Sequence, residues 1–224
     1  MTAAVELVDG CWQLPCRGVN VYLLERDALV LVDAGTPFDA GRIRAGVAST
    51  GHRLADVDHV LVTHFDLDHV GGLARLDDAL AAPVHMPEPD ASYLTRTASP
   101  GWDRKGAFQR LARPLVRRPA LNVVPIEDGD VVAGLTAVHT PGHTCGHTAY
   151  VDGTVGFLGD LVVEADGALA RPPALMTHDM ATDEASIRAL AARGPDFAVA
   201  AMGHGEPLVA GGHAALVALA ERLS

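Results

Sequence analysis

Thr63-His64-Phe65-Asp66-Leu67-Asp68-His69 sets four metal-ligating side chains within six positions and two apolar ones between them. In an extended segment side chains alternate faces, so His64, Asp66 and Asp68 are expected to point one way while Phe65 and Leu67 turn to the core. Upstream, Val60–Thr63 is a short apolar run that reads as a buried strand; downstream, Val70–Ala81 reads as a helix despite Gly71 and Gly72. Strand, polar loop, helix is the grammar of an α/β sheet, whose ligands gather beyond the C-terminal ends of strands. His69 falls where that helix begins, and the paired glycines allow the backbone a close approach to the site.

Three later segments repeat the arrangement of a His or Asp beside Gly just past a predicted strand. They are His139-Thr140-Pro141-Gly142-His143-Thr144-Cys145-Gly146-His147, then Gly159-Asp160 after Thr154–Leu158, then Gly203-His204-Gly205 after Phe197–Ala201. Imidazole and carboxylate together suit Zn, Fe, Mn or Co better than Ca or Mg. The remaining patterning gives a hairpin from Asn20–Glu25 and Leu29–Asp33, and a helix over Pro37–Thr50. Strands follow at Asn122–Ile126, Thr136–His139 and His147–Val151, with Asp152-Gly153 turning the last into Thr154–Leu158. Thr182-Asp183-Glu184 is read as the cap of a helix to Arg193, and Gly212–Leu223 as a closing helix. One domain over residues 1–224 is expected, with residues 87–119, rich in Pro, Gly and aromatics, as a lid or insertion; seven of the 17 Lys and Arg residues lie there.

The 224 residues carry 28 Asp and Glu against 17 Lys and Arg, a formal charge of −11, which disfavours nucleic acid and anionic membrane surfaces as partners. An apolar fraction of 49% excludes disorder, while 4% aromatic content leaves Ala, Val and Leu to fill the core. Sixteen of the 17 cations are Arg and one is Lys. Cys11, Cys16 and Cys145 have neither zinc-ribbon nor disulfide-framework spacing. Met1 to Gly10 show no signal-peptide pattern, and no run approaches the roughly 20 apolar residues of a membrane-spanning helix. A cytoplasmic protein acting on a small molecule is expected, with a homodimer an open alternative.

His64-x-Asp66-x-Asp68-His69, His143, Asp160 and His204, in that order after Leu-Val-Asp33-Ala-Gly35, resemble the metallo-β-lactamase superfamily of binuclear metallohydrolases. The resemblance runs from about Asn20 to Pro207 and implies an α/β fold, a four-layer αβ/βα sandwich with the metals at the loops between two sheets. It implies two divalent ions, Zn with Mn or Fe as alternatives. His64, Asp66 and His143 would hold the first, Asp68, His69 and His204 the second, with Asp160 bridging and a hydroxide between them as nucleophile. Asp68 would also act as the catalytic proton carrier. Asp66 departs from the family's commoner His, and its added negative charge points to neutral substrates rather than phosphates. His139 and His147 read as supports for His143, and Asp33 as a buried acid orienting the loops.

A hydrolase of a small ester, lactone or thioester is therefore expected, with a non-haem iron oxygenase or diiron redox protein, or a phosphodiesterase, as rivals. Only 20 residues follow His204, fewer than the helical glutathione-binding domain of hydroxyacylglutathione hydrolases needs. Tyr93 and Trp102 are the candidate substrate-binding residues, and Arg110, Arg113 and Arg117 the candidate anion contacts at the entrance.

Overall fold

The computed structural model describes residues 3–88, 90–193 and 196–223. Seven strands, β1 (Val5–Val8), β2 (Cys11–Pro15), β3 (Asn20–Glu25), β4 (Leu29–Val32), β5 (His59–Leu61), β6 (Val84–Pro87) and β7 (Val123–Ile126), pair in chain order into one sheet. It is antiparallel as far as β4 and parallel from β4 to β7. The next strands are β8 (Val131–Val132), β9 (Leu135–His139), β10 (Thr148–Val151), β11 (Val155–Gly159), the small hairpin β12 (Val163–Ala165) with β13 (Ala168–Ala170), and β14 (Val199–Met202). The second sheet runs β14-β11-β10-β9-β8, with β14 parallel to β11. The helices are α1 (Ala40–Ser49), α2 (Leu67–Val70), α3 (Leu73–Leu76), α4 (Asp90–Thr95), α5 (Arg104–Ala112), α6 (Met180–Arg193) and α7 (Gly212–Arg222).

The period of two along each strand sorts the apolar residues into three cores, which makes four layers. On β3 and β4, Leu23 and Leu31 face α1, meeting Ile43 and Val47. Their neighbours Tyr22, Leu24, Val30 and Val32 turn the other way, onto Tyr150, Phe157, Val199 and Ala201 of the second sheet. On that sheet Ala149, Leu158, Ala200 and Met202 face outward to Ile187, Leu190, Leu216 and Leu219 of α6 and α7. The expected four-layer sandwich is therefore present. Strands buried on both faces read as continuous apolar runs, which is why β3, β4, β11 and β14 stand out in the sequence.

Polar groups cross between the sheets at the end where the site lies. The Tyr22 hydroxyl donates to Met202 O at 2.6 Å, Asn20 Nδ2 donates to Met202 O and Gly205 O, and the Tyr150 hydroxyl donates to Val62 O at 2.8 Å. These bonds join the ends of β3, β5, β10 and β14.

Two local expectations need correction. The single helix predicted over Val70–Ala81 is instead α2 and α3, broken at Gly71-Gly72. The Gly72 amide donates to Gly35 O at 3.0 Å and Ala34 N to His69 O at 2.8 Å, so the ladder is diverted to a neighbouring loop. The cap of α6 is Asp179, not Thr182: its carboxylate accepts from Ala181 N and from the Thr182 hydroxyl.

A side chain at Gly72 would place Cβ 2.0 Å from the Ala34 carbonyl oxygen. Gly72→Ala is expected to lower unfolding free energy by about 1–3 kcal/mol or more, measured by chemical denaturation.

Candidate metal centre

Four loops beyond strand ends bring the seven expected ligands together. His64 and Asp66 follow β5, and Asp68 and His69 lie on α2, which starts immediately after Asp66. His143 lies between β9 and β10, Asp160 directly follows β11, and His204 follows β14. The alternation expected over residues 64–69 holds for Phe65, which is buried in the first core; helix onset at Leu67 then turns Leu67 to the cavity as well as the core.

Three groups of donors lie within 4.8 Å of one another: His64, Asp66 and His143; His64, His69 and Asp160; Asp68, His69 and His204. His64 Nε2 and His143 Nε2 are 3.5 and 3.2 Å from Asp66 Oδ2. His69 Nε2 is 3.4 Å from Asp160 Oδ1, and His204 Nε2 is 3.3 Å from Asp160 Oδ2 and 3.5 Å from Asp68 Oδ2. A tetrahedral ion with bonds of about 2.0–2.2 Å needs donors about 3.3–3.6 Å apart, so these separations are those of a coordination shell. His64 Nε2, His69 Nε2 and Asp160 Oδ1 are buried without any hydrogen-bond partner, which an ion would supply.

The outer nitrogens are already committed. His69 Nδ1 donates to Asp33 Oδ2 at 2.8 Å and His204 Nδ1 to Gly18 O at 2.7 Å. Thr63 Oγ1 donates to Asp33 Oδ2 at 2.9 Å and accepts from His64 Nδ1 at 3.0 Å. With Nδ1 protonated in each ring, the Nε2 lone pairs face inward, the tautomer that metal ligation requires. Asp33 holds its carboxylate there from a left-handed backbone, φ 62°, a strained conformation for a residue other than Gly. His147 Nε2 accepts from the Asp160 amide at 3.0 Å, so it supports the site rather than facing it.

Sequence reasoning missed three residues. Lys105, only 2% exposed, reaches in from α5; its Nζ makes a short ion pair with Asp66 Oδ2 and lies 3.0 Å from His143 Nε2. Gln109, one turn further along α5, donates through Nε2 to Asp66 Oδ1 at 3.0 Å and Phe65 O at 2.8 Å. Buried Asp90 accepts from Phe65 N and the Thr144 hydroxyl, pinning the loops that carry Asp66 and His143. The i, i+4 spacing of Lys105 and Gln109, with Lys105 the sole lysine of the chain, was the available signal.

The candidate substrate residues stand outside the main cavity, Tyr93 lining a small hollow beside Lys105 and Gln109. A cavity of about 530 Å³ opens on Asp66, Asp68, His143, Asp160 and His204, and neither Tyr93 nor Trp102 lines it. Trp102 is 80% exposed beneath the Arg110 guanidinium, and Tyr93 packs edge-on against Phe65. Arg113 is bonded to Ser99 Oγ and Ala98 O, and Arg110 to Gly101 O, so these arginines hold the 98–102 loop.

A carboxylate-bridged ring of imidazoles at the rim of two packed sheets defines a metal-dependent hydrolase fold. The chain belongs to the metallo-β-lactamase superfamily, whose family profile matches residues 14–204. It is 29% identical over 253 residues to the probable metallo-hydrolase YflN of Bacillus subtilis (strain 168), covering 99% of this chain and 94% of that one. It is 34% identical over 138 residues to a hydroxyacylglutathione hydrolase of Rhodopseudomonas palustris (strain BisB18), across 60% of this chain and 42% of that protein. The metallo-β-lactamase family protein TTHA1429 of Thermus thermophilus superposes with a TM-score of 0.72 at 25% identity, over 97% of this chain and 80% of that one.

Burial opposes a charge on His204, but its hydrogen bond to Asp160 outweighs this and lifts the imidazole to about 9. Metal uptake must then displace a proton, so affinity is expected to climb with pH, with proton release seen by titration calorimetry in buffers of differing ionisation enthalpy. Asp33→Asn, which deprives His69 Nδ1–H of its carboxylate, is expected to weaken metal retention by about 10–100-fold in chelator competition.

Proposed function

We propose that this metal-dependent hydrolase cleaves a small neutral ester, lactone or thioester. The observation that carries the reading is the cavity: its floor is the ring of carboxylates and imidazoles, and its walls are Leu67, Phe108, Val163, Pro172, Pro173 and Met176. Apolar walls over a polar floor suit an acyl group whose carbonyl reaches the floor while its carbon chain leaves water. Among the described residues no Arg or Lys stands in the cavity's walls, and Lys105 is committed to Asp66 and His143 of its floor, which disfavours a phosphodiester and supports a neutral substrate.

The ligand residues fit Zn, Mn or Fe, and a bound ion would supply a water of lowered pKa together with a Lewis acid for the carbonyl oxygen. Asp68 is the carboxylate of the three with substantial exposure, its side chain 34% accessible and one oxygen directed to His204. In this reading its other oxygen carries a proton from the attacking water to the leaving group, the role of a general acid–base. Asp66 and Asp160, both buried, are held ionised by the imidazoles around them despite desolvation, and so orient rather than exchange protons.

Hydrolysis of lactones, thioesters and alkyl esters at kcat/KM values well above those for phosphodiesters is expected from a panel assayed on metal-replete protein. Phosphodiesterase activity alone, or oxygen uptake by an iron-loaded protein without hydrolysis, would overturn the reading. Phe108→Asp should lower kcat/KM roughly tenfold for substrates with long acyl chains and leave acetyl esters nearly unchanged. Trp102→Ala, remote from the cavity, should leave both constants as they are.

A further inference from the structure

We propose that Lys105 is a resident cation standing in for the first metal ion, so that the chain holds one divalent ion, at the side of the site formed by His69, Asp160 and His204. The inference rests on the metal-dependent reading above and sharpens it.

An ammonium has donors and no acceptor, so the 3.0 Å contact from Lys105 Nζ must be received by the lone pair of His143 Nε2. An imidazole nitrogen has a single lone pair. While His143 Nε2 accepts from Lys105 it has none for an ion, and the first group of donors loses one of its three members. Asp66 is similarly occupied: Oδ2 takes the ammonium and Oδ1 the Gln109 amide. The 3.2 Å approach of His143 Nε2 to Asp66 Oδ2 is then two acceptors converging on one cation.

The placement is built in. Asp103 caps α5 by accepting from Gly106 N at 3.0 Å, and the same oxygen lies 3.0 Å from His178 Nδ1. A side chain on Gly106 would meet Gly101 O at 2.6 Å, so this turn packs too closely for the helix to shift without disturbing it. A lysine this buried has left water and depends on Asp66 for compensation. The residue type argues the same way: at its other sixteen cationic positions the chain uses Arg, and only here the compact ammonium. A guanidinium is a broad planar fork; an ammonium is a point charge closer to a metal ion in size.

Charge balances with one ion. Counting side chains and ions alone, a divalent cation and an ammonium offset Asp66, Asp68 and Asp160, whereas two ions beside Lys105 leave two positive charges in excess, or one once a hydroxide lies between the ions. The two donor groups that Lys105 does not touch share His69, and one of them includes His64, whose Nε2 is otherwise without a partner. One ion between them engages that nitrogen as well.

The test is metal stoichiometry. Wild-type protein loaded with excess zinc and desalted should retain about one ion per chain by elemental analysis and native mass spectrometry, and Lys105→Met about two. Cobalt titration should saturate its visible absorbance at about one equivalent in wild type and two in the variant. Two ions in wild type, or one in a folded Lys105→Met, overturns the proposal. Should that variant fail to fold, the stoichiometry of Asp66→Asn under excess zinc decides: it still takes up the single ion, at weaker affinity, if Asp66 pairs with Lys105, and takes up one ion fewer than wild type if Asp66 is a ligand. A wild type that retains no ion defeats the metal-dependent reading itself, a result distinct from retaining two.

Discussion

A carboxylate removed from water must be met by positive charge, and Asp160 concentrates that demand. It lies within 4 Å of four imidazoles, those of His64, His69, His143 and His204, brought in by separate loops and by the short helix α2. Desolvation alone would neutralise it; the facing rings keep it ionised. The two sheets meet so that β5, β11 and β14 end together, and the Tyr22, Asn20 and Tyr150 bonds hold those ends in register. The sandwich is in this sense a frame for one buried charge.

Around that charge the site is organised by what the far side of each ring touches. Asp33, Gly18 O and the Thr63 hydroxyl take the outer protons of His69, His204 and His64. Asp90 ties the Phe65 amide to the Thr144 hydroxyl, and the Gly142 turn packs against Asp183 of α6 so closely that no side chain fits there. None of these residues touches the cavity, yet they decide which atoms face it.

The central strands and the ligand set were legible because both leave periodic or spaced signals. Leu29–Val32 and Val199–Met202 are apolar on both faces, and a His or Asp follows a strand end four times. The edge strand β1 and its neighbour β2 were not legible: Glu6 and Gln13 interrupt their apolar character, and the exposed edge at β1 imposes no pattern. Nor could α2 and α3 be told from one helix, since the carbonyl that captures Gly72 belongs to Gly35, remote in sequence. Aromatic composition says nothing of direction: a cation stack holds Trp102, and an edge-on contact with Phe65 holds Tyr93, outside the lining of the 530 Å³ cavity. Lys105 was hidden among seven cations of one segment, and its burial at the site is what sets it apart.

The burial of the sole lysine reaches beyond the site. Among the side chains, a lysine-specific protease has a single target in the chain, and the fold encloses it at the metal centre. Cutting there requires α5 to leave its seat, so the rate of that one cleavage reports how often the helix opens while the two sheets stay folded. The chain thus carries its own probe of local opening beside its chemistry.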